Sequence, residues 1–213
     1  MSKRAFDMPS TDNILPYLPR ALVRSVFKTR ATDSVLATAL STDVVGFTEM
    51  SRELSREGKE GAEELTTILN RYLATLIDSI VAYGGDILLF GGDALMAVFD
   101  GEGHALRAAR CGLEIQEHVS ESGRVETSQG AFDIGLHVGI SSGELLLARV
   151  GGRDRRHLLI RGELLESLCA AEEASGAGDV VVSDQTVRLL GEDASVSPCP
   201  ELATLHRLTG LSQ

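Results

Sequence analysis

"GGDILLFGGDALMAVF", residues 84 to 99, is the stretch that decides the fold. "DILLF" and "ALMAVF" are short apolar runs, and "GGD" between them, residues 91 to 93, is turn chemistry, so the segment predicts two strands joined by a tight hairpin. Gly84 and Gly85 stop whatever comes before. That is a helix: from Ala62 to Tyr83, Leu65, Ile68, Leu69, Tyr72, Leu73, Leu76, Ile77 and Ile80 recur at helical spacing over about six turns. A second helix is predicted from about Gly103 to Val119. Upstream of both, "SVLATAL", residues 34 to 40, is apolar and runs to Ser41–Asp43, a strand followed by a turn signalled by Gly46.

Further along, "ESGRVETSQG", residues 121 to 130, is polar and glycine-punctuated and predicts a flexible loop. "FDIGLHVGIS" and "ELLLARV" predict a hairpin turning at Ser142 and Gly143, and "RHLLI" another short strand. Glu163 to Ala174 follows as a helix, "DVVVS" as a strand, and Asp184 to Leu190 as a short closing helix capped by Ser183 or Asp184. The order strand, helix, strand, strand, helix, strand, with additions at the end, predicts an α+β fold. It is the order of a ferredoxin-like βαββαβ unit, a mostly antiparallel sheet with helices on one face.

Composition limits the partners. The chain has 213 residues, 43% hydrophobic and 24% charged, enough for one core-bearing domain with a short extension. Its apolar stretches are broken well short of a membrane span and its first thirty residues hold no signal-peptide core, so no transmembrane segment and a cytoplasmic location are expected. A net charge of −11 works against nucleic acid, whose binding draws on clustered Lys and Arg. Cys111, Cys169 and Cys199 lack the spacing of a disulfide framework or zinc site. Residues 1–33 differ from the rest: Lys3, Arg4, Arg20, Arg24, Lys28 and Arg30 outnumber Asp7, Asp12 and Asp33. They form a basic N-terminal extension to a domain at 34–213, expected either to dock on that domain's acidic body through Leu18, Leu22 and Phe27 or to meet a membrane surface or partner.

In the split unit the first strand lies antiparallel beside the third, so the end of one meets the start of the other. Asp43 ends the first strand and Asp93 begins the third, which brings two carboxylates to one edge of the sheet. Either alone has a structural reading, Asp93 as turn chemistry and Asp43 as a helix cap. Together they suit a hard divalent cation, since magnesium is typically held by one or two carboxylates plus substrate phosphates. The backbone N–H groups of Val45 to Thr48, where a helix begins, are then placed to meet those phosphates.

The sequence here resembles the class III nucleotidyl cyclases, whose catalytic domain makes cyclic AMP or cyclic GMP from a nucleoside triphosphate. "TDVVGFTEM" is similar to the family's first metal-aspartate motif and residues 84–99 to its second, with the likeness running from roughly Ser34 to Leu190. The second motif resembles most closely the first of two catalytic domains in the soluble, bicarbonate-responsive adenylyl cyclases. The resemblance implies a cyclase-type sheet with added strands. It implies two magnesium or manganese ions on Asp43, Asp93 and the backbone of Val44, and a triphosphate held by the backbone of Val44 and by Val45, Gly46, Phe47 and Thr48.

Where the chain departs from the family pattern, the departures fall in one half of the site. The family's sites lie across a dimer interface, one domain giving the metal aspartates and the other a base-reading lysine, an asparagine and an arginine. Here the lysine position is Leu89, the asparagine position Glu166 and the arginine position Ala170, none of which can act in that way. Arg161 is the basic residue of that stretch, and "RVGGRDRRH", residues 149 to 157, adds Arg149, Arg153, Arg155 and Arg156 as a solvated turn or a reach toward a partner or phosphate. Leu89 also removes a positive charge from the site the resemblance assigns to bicarbonate.

The resemblance therefore implies the metal- and triphosphate-binding half of a heterodimeric adenylate cyclase, taking ATP, completed by a second cyclase domain in cis or trans and near-inactive as a homodimer. The end at "TGLSQ" has no terminating signal, as expected of a fragment cut before such a domain. Two other classes stand beside it: a degenerate domain that binds nucleotide as a regulatory or dimerising module, and a nucleotide-independent scaffold.

Overall fold

A computed structural model describes residues 32–151, 156–200 and 202–212. The elements run β1 (Thr32–Val45), α1 (Phe47–Ser55), α2 (Lys59–Ala82), β2 (Asp86–Gly91), β3 (Ala94–Asp100), α3 (His104–Glu121), β4 (Arg124–Thr127) and β5 (Gly130–Asp133). They continue as β6 (Gly135–Gly151), β7 (Arg156–Arg161), α4 (Glu163–Ala174), β8 (Val180–Ser183), α5 (Asp184–Leu190), β9 (Ala194–Pro198) and β10 (Leu205–Leu211). The main sheet is ordered β2-β3-β1-β6-β8-β10-β9, with β7 added on β6 and with β4-β5 forming a separate pair. Its pairings are antiparallel except β6 with β8.

The first four strands of that order are the split unit predicted from the sequence. Strand alternation sends Leu40 and Val44 of β1, Leu95 and Phe99 of β3, and Leu136, Val138 and Ile140 of β6 to one face. There they pack against Leu76 and Ile80 of α2 and Ala108, Cys111 and Ile115 of α3. The opposite face is covered by an element outside the split unit: α4 sets Leu164 and Leu168 against Ala37, Ala39, Val98, Leu145 and Leu147. It can come that close because β6 is bare beneath it. A Cβ on Gly139 would lie 2.6 Å from the Glu172 backbone nitrogen.

Three expectations change. The hairpin at Ser142–Gly143 is absent; β6 is one strand, and its register runs unbroken from Val45↔Gly135 to Thr32↔Ala148. The serine and glycine that read as a turn are there for packing, since Gly143 seats Leu164 of α4 and Ser142 bonds Thr38 across the strands. The loop at 121–130 contains β4 and part of a β-hairpin turning at Ser128–Gln129, whose polar residues face solvent on a two-stranded ribbon. Beyond α5 the chain adds β9 and β10, which extend the sheet past β8. The helix prediction for 163–174 and the closing helix at 184–190 match, the latter capped by the Ser183 hydroxyl accepting from the Thr186 amide. The basic extension up to residue 31 lies outside the described residues.

Candidate active site

β1 ends where β3 begins. The last paired positions are Thr42 opposite Leu95, so Asp43 and Asp93 each lie just past the end of that ladder. Both are half-buried, and neither has an ion-pair or hydrogen-bond partner among the described residues. Two partly desolvated carboxylates with no protein cation beside them fit a hard divalent ion, whose charge would offset theirs. Among the described residues no group of three or more His, Cys, Asp or Glu side chains is arranged to hold a metal. A divalent ion there would draw its further ligands from backbone carbonyls, substrate phosphate oxygens and water, the usual company of magnesium.

Val44 turns its side chain into the core and Val45 closes the strand. Gly46 then takes the left-handed conformation at φ +86° and starts α1 with no side chain capping the first turn. A Cβ on Gly46 would sit 2.4 Å from the Asp133 carbonyl oxygen, so the turn is pressed against the end of β5. Phe47 anchors α1 against the core, while Thr48 and Glu49 are exposed. The open first-turn amides beside two carboxylates are a place where a metal-bound triphosphate can lie along a helix N-terminus.

The surroundings brace this corner. Tyr72 of α2 donates to the Gly135 carbonyl at 3.4 Å, opposite Val45, and burial pushes its phenol well above the usual range. Glu64 of α2 accepts from the amide and hydroxyl of Ser128 at 2.9 and 2.6 Å, tying the β4-β5 ribbon to the helix. Two residues near Asp43 were not visible to sequence reasoning. His137 of β6 stands directly opposite Asp43, its Nδ1 held by the Ser175 carbonyl, and Glu172 of α4 accepts a hydrogen bond from Ser41. Strand alternation puts Ser41, Asp43 and His137 on the face that α4 covers.

At the positions that the resemblance makes complementary stand Leu89, Glu166 and Ala170. Leu89 is 57% exposed on the edge strand β2, followed by Phe90 at 51%. Glu166 points from α4 into solvent, and Ala170 packs with Ala171, Val181, Cys199 and Leu205. Arg161 ends β7 and lines a groove with Ser34 and Leu36 at the start of β1, the opposite end from Asp43. Of the other arginines, Arg149 and Arg156 pair within β6 and β7, and Arg153 and Arg155 lie outside the described residues.

The chain matches the adenylate and guanylate cyclase catalytic domain over residues 29–202. It belongs to that family. Among curated relatives, adenylate cyclase type 10 of Oryctolagus cuniculus is 30% identical over 179 residues, covering 80% of this chain and 11% of that protein. The chain thus spans a small part of the relative's length. Among solved structures, the adenylyl cyclase CyaB from P. aeruginosa superposes with a TM-score of 0.71 at 24% identity, covering 85% of this chain and 97% of that one. The guanylyl cyclase Cya2 superposes at 0.65 with 23% identity, over 86% and 96% of the two chains. The cyclase chain is mixed α+β with a mainly antiparallel sheet, as these structures are.

Proposed function

We propose that this cyclase domain is the metal- and triphosphate-binding half of a composite site that converts ATP to cyclic AMP and pyrophosphate. The observation that carries the reading is the placement of Asp43 and Asp93 at one corner of the sheet beside the uncapped start of α1. Asp43, Asp93 and the Val44 carbonyl would hold two divalent cations, magnesium or manganese. When bound, such ions neutralise charge on the leaving phosphates and lower the pKa of the attacking hydroxyl.

The chain's own contribution is positional. The amides from Val45 to Thr48 hold the triphosphate along the start of α1, Gly46 lets the backbone approach, and Phe47 fixes the helix behind it. In the reaction the ribose 3′-oxygen bonds to the α-phosphorus as the bond from that phosphorus to the bridging oxygen of the β-phosphate breaks. Pyrophosphate leaves with the electron pair, and the hydroxyl proton passes to water. Leu89, Glu166 and Ala170 cannot read a base, orient a ribose or meet transition-state charge, so those groups come from a second cyclase domain. Leu89 and Phe90, exposed side by side on an edge strand, support docking of such a partner. The preference for adenine rests on the adenylate cyclase relatives. Among the described residues no helix is long and apolar enough to cross a membrane. Nucleoside triphosphates and free magnesium are cytoplasmic solutes, and the reading places the domain there.

Titration calorimetry with manganese and a non-cyclising ATP analogue tests the binding half directly. Asp43→Asn and Asp93→Asn should each weaken metal-dependent nucleotide binding by about tenfold or more, the scale of losing one charge-assisted contact. Unchanged binding in both variants contradicts the assignment.

A further inference from the structure

β6 is paired with β1 from Gly135 to Ala148, but on its other side β8 covers Val138–Ile140 and β7 covers Leu146–Gly151. Between those two strands the sheet is notched. A groove of about 920 Å³ opens there, with Ser34 and Leu36 of β1, Glu144 and Leu146 of β6, and Arg161 and Glu163 at the β7–α4 junction among its walls. Leu36 is 52% exposed although it belongs to a central strand, and Ser34 donates to Glu144. Asp184, also in the groove, is already met by His206 at 2.5 Å and Arg188 at 3.5 Å. Glu163 has no ion-pair partner among the described residues.

We infer that this groove is the docking site of the chain's own residues 18–28. The tether favours it. β1 begins at Thr32, and two of its first residues, Ser34 and Leu36, line the groove, so the preceding segment leaves the domain at the groove's rim. The pattern of that segment suits it as well: Leu18, Leu22 and Val26 recur every four residues with Val23 and Phe27 beside them, while Arg20, Arg24 and Lys28 are displaced by two. At about 100° per residue the first set makes one stripe and the second the opposite one, with Pro19 at a position helix starts accept. An apolar stripe covers Leu36 and Leu146, and the arginine stems reach the rim, where Glu144 and Glu163 lie.

Charge favours the same docking. Residues 1–33 hold six Lys and Arg against three Asp in a chain of net charge −11, so the body facing the segment is more acidic than the chain as a whole. Arg161 and Arg188 oppose the match locally and are outnumbered, two to three, by Glu144, Glu163 and Asp184. The inference is independent of the cyclase reaction, since the groove lies at the far end of β1 from Asp43.

Amide hydrogen exchange on the full chain tests it. Peptides covering residues 18–28 and the groove strands at 141–146 are expected to be protected together. Leu22→Asp on the segment and Leu36→Asp in the groove should each raise exchange in both regions by roughly tenfold or more, with α2 unchanged. Glu163→Lys, at an exposed position, should loosen the segment without threatening the fold. Groove peptides that exchange equally in the parent chain and in Leu22→Asp overturn the inference. So does protection that grows with protein concentration, which would mean that a second copy supplies the segment.

Discussion

Gly46 meets two demands with one missing side chain: a left-handed φ of +86° and a 2.4 Å approach to the Asp133 carbonyl by any Cβ placed there. Gly46→Ala is predicted to destabilise the cyclase domain by about 2 kcal/mol or more, the left-handed penalty plus a backbone clash, measured as a drop in urea midpoint. The shifted turn should also weaken metal-dependent nucleotide binding. His104 makes a different prediction. It is buried, with Nδ1 2.7 Å from the Thr38 hydroxyl, which continues to Ser142 and Thr186. Burial, aided by Arg107 and opposed by Asp100, holds its pKa below the ordinary 6.5. The folded imidazole stays neutral while the unfolded one takes up a proton, so this group's contribution is intact above pH 6.5 and is lost as pH falls from there toward the depressed folded value. His104→Gln should flatten the loss of stability between about pH 7 and about pH 5.5, read by urea titration at both. The placement of Asp43, Asp93 and Gly46 at the ends of their strands was legible in the sequence because each carries its own chemistry at a predicted turn. His137 and Glu172 were not, because their nearness to Asp43 is a matter of register and of where α4 packs.

Among the elements, the split unit could be read from periodicity: α2 and α3 each bury one stripe, and the β2-β3 hairpin turns at its glycines. β6 could not. "ISSGELL" has the residues of a turn, and only the length of β1 alongside shows that both halves belong to one strand of 17 residues. α4 was correctly bounded, yet its packing on the other face follows from Gly139 and Gly143, whose lack of side chains reads equally well as flexibility. Leu168 is the pin of that contact, 2% exposed against Ala37, Ala39 and Leu145. Leu168→Ala should cost about 2–4 kcal/mol by the cavity it leaves, seen as a lower thermal midpoint. Because α4 also carries Glu172 to Ser41, the same change should weaken nucleotide binding at a distance.

At the scale of the whole molecule, the proposed reading gives one corner of the sheet a pair of carboxylates for metal, Asp43 and Asp93, and puts Leu89, Glu166 and Ala170 where a partner's site would need its completing groups. Absence of a single preorganised donor to transition-state charge commonly lowers turnover about 100-fold to 1000-fold, and here several are absent together. A pair of identical chains should therefore be nearly silent. Cyclase turnover with manganese and ATP measures this directly, on the chain alone and mixed with a cyclase domain that keeps the lysine, asparagine and arginine. Activity confined to the mixture, and abolished by Asp43→Ala and by Asp93→Ala, is the predicted result. Turnover by the chain alone would contradict the account of the missing groups, and silence in every mixture would contradict the composite site and leave a domain that binds without turnover.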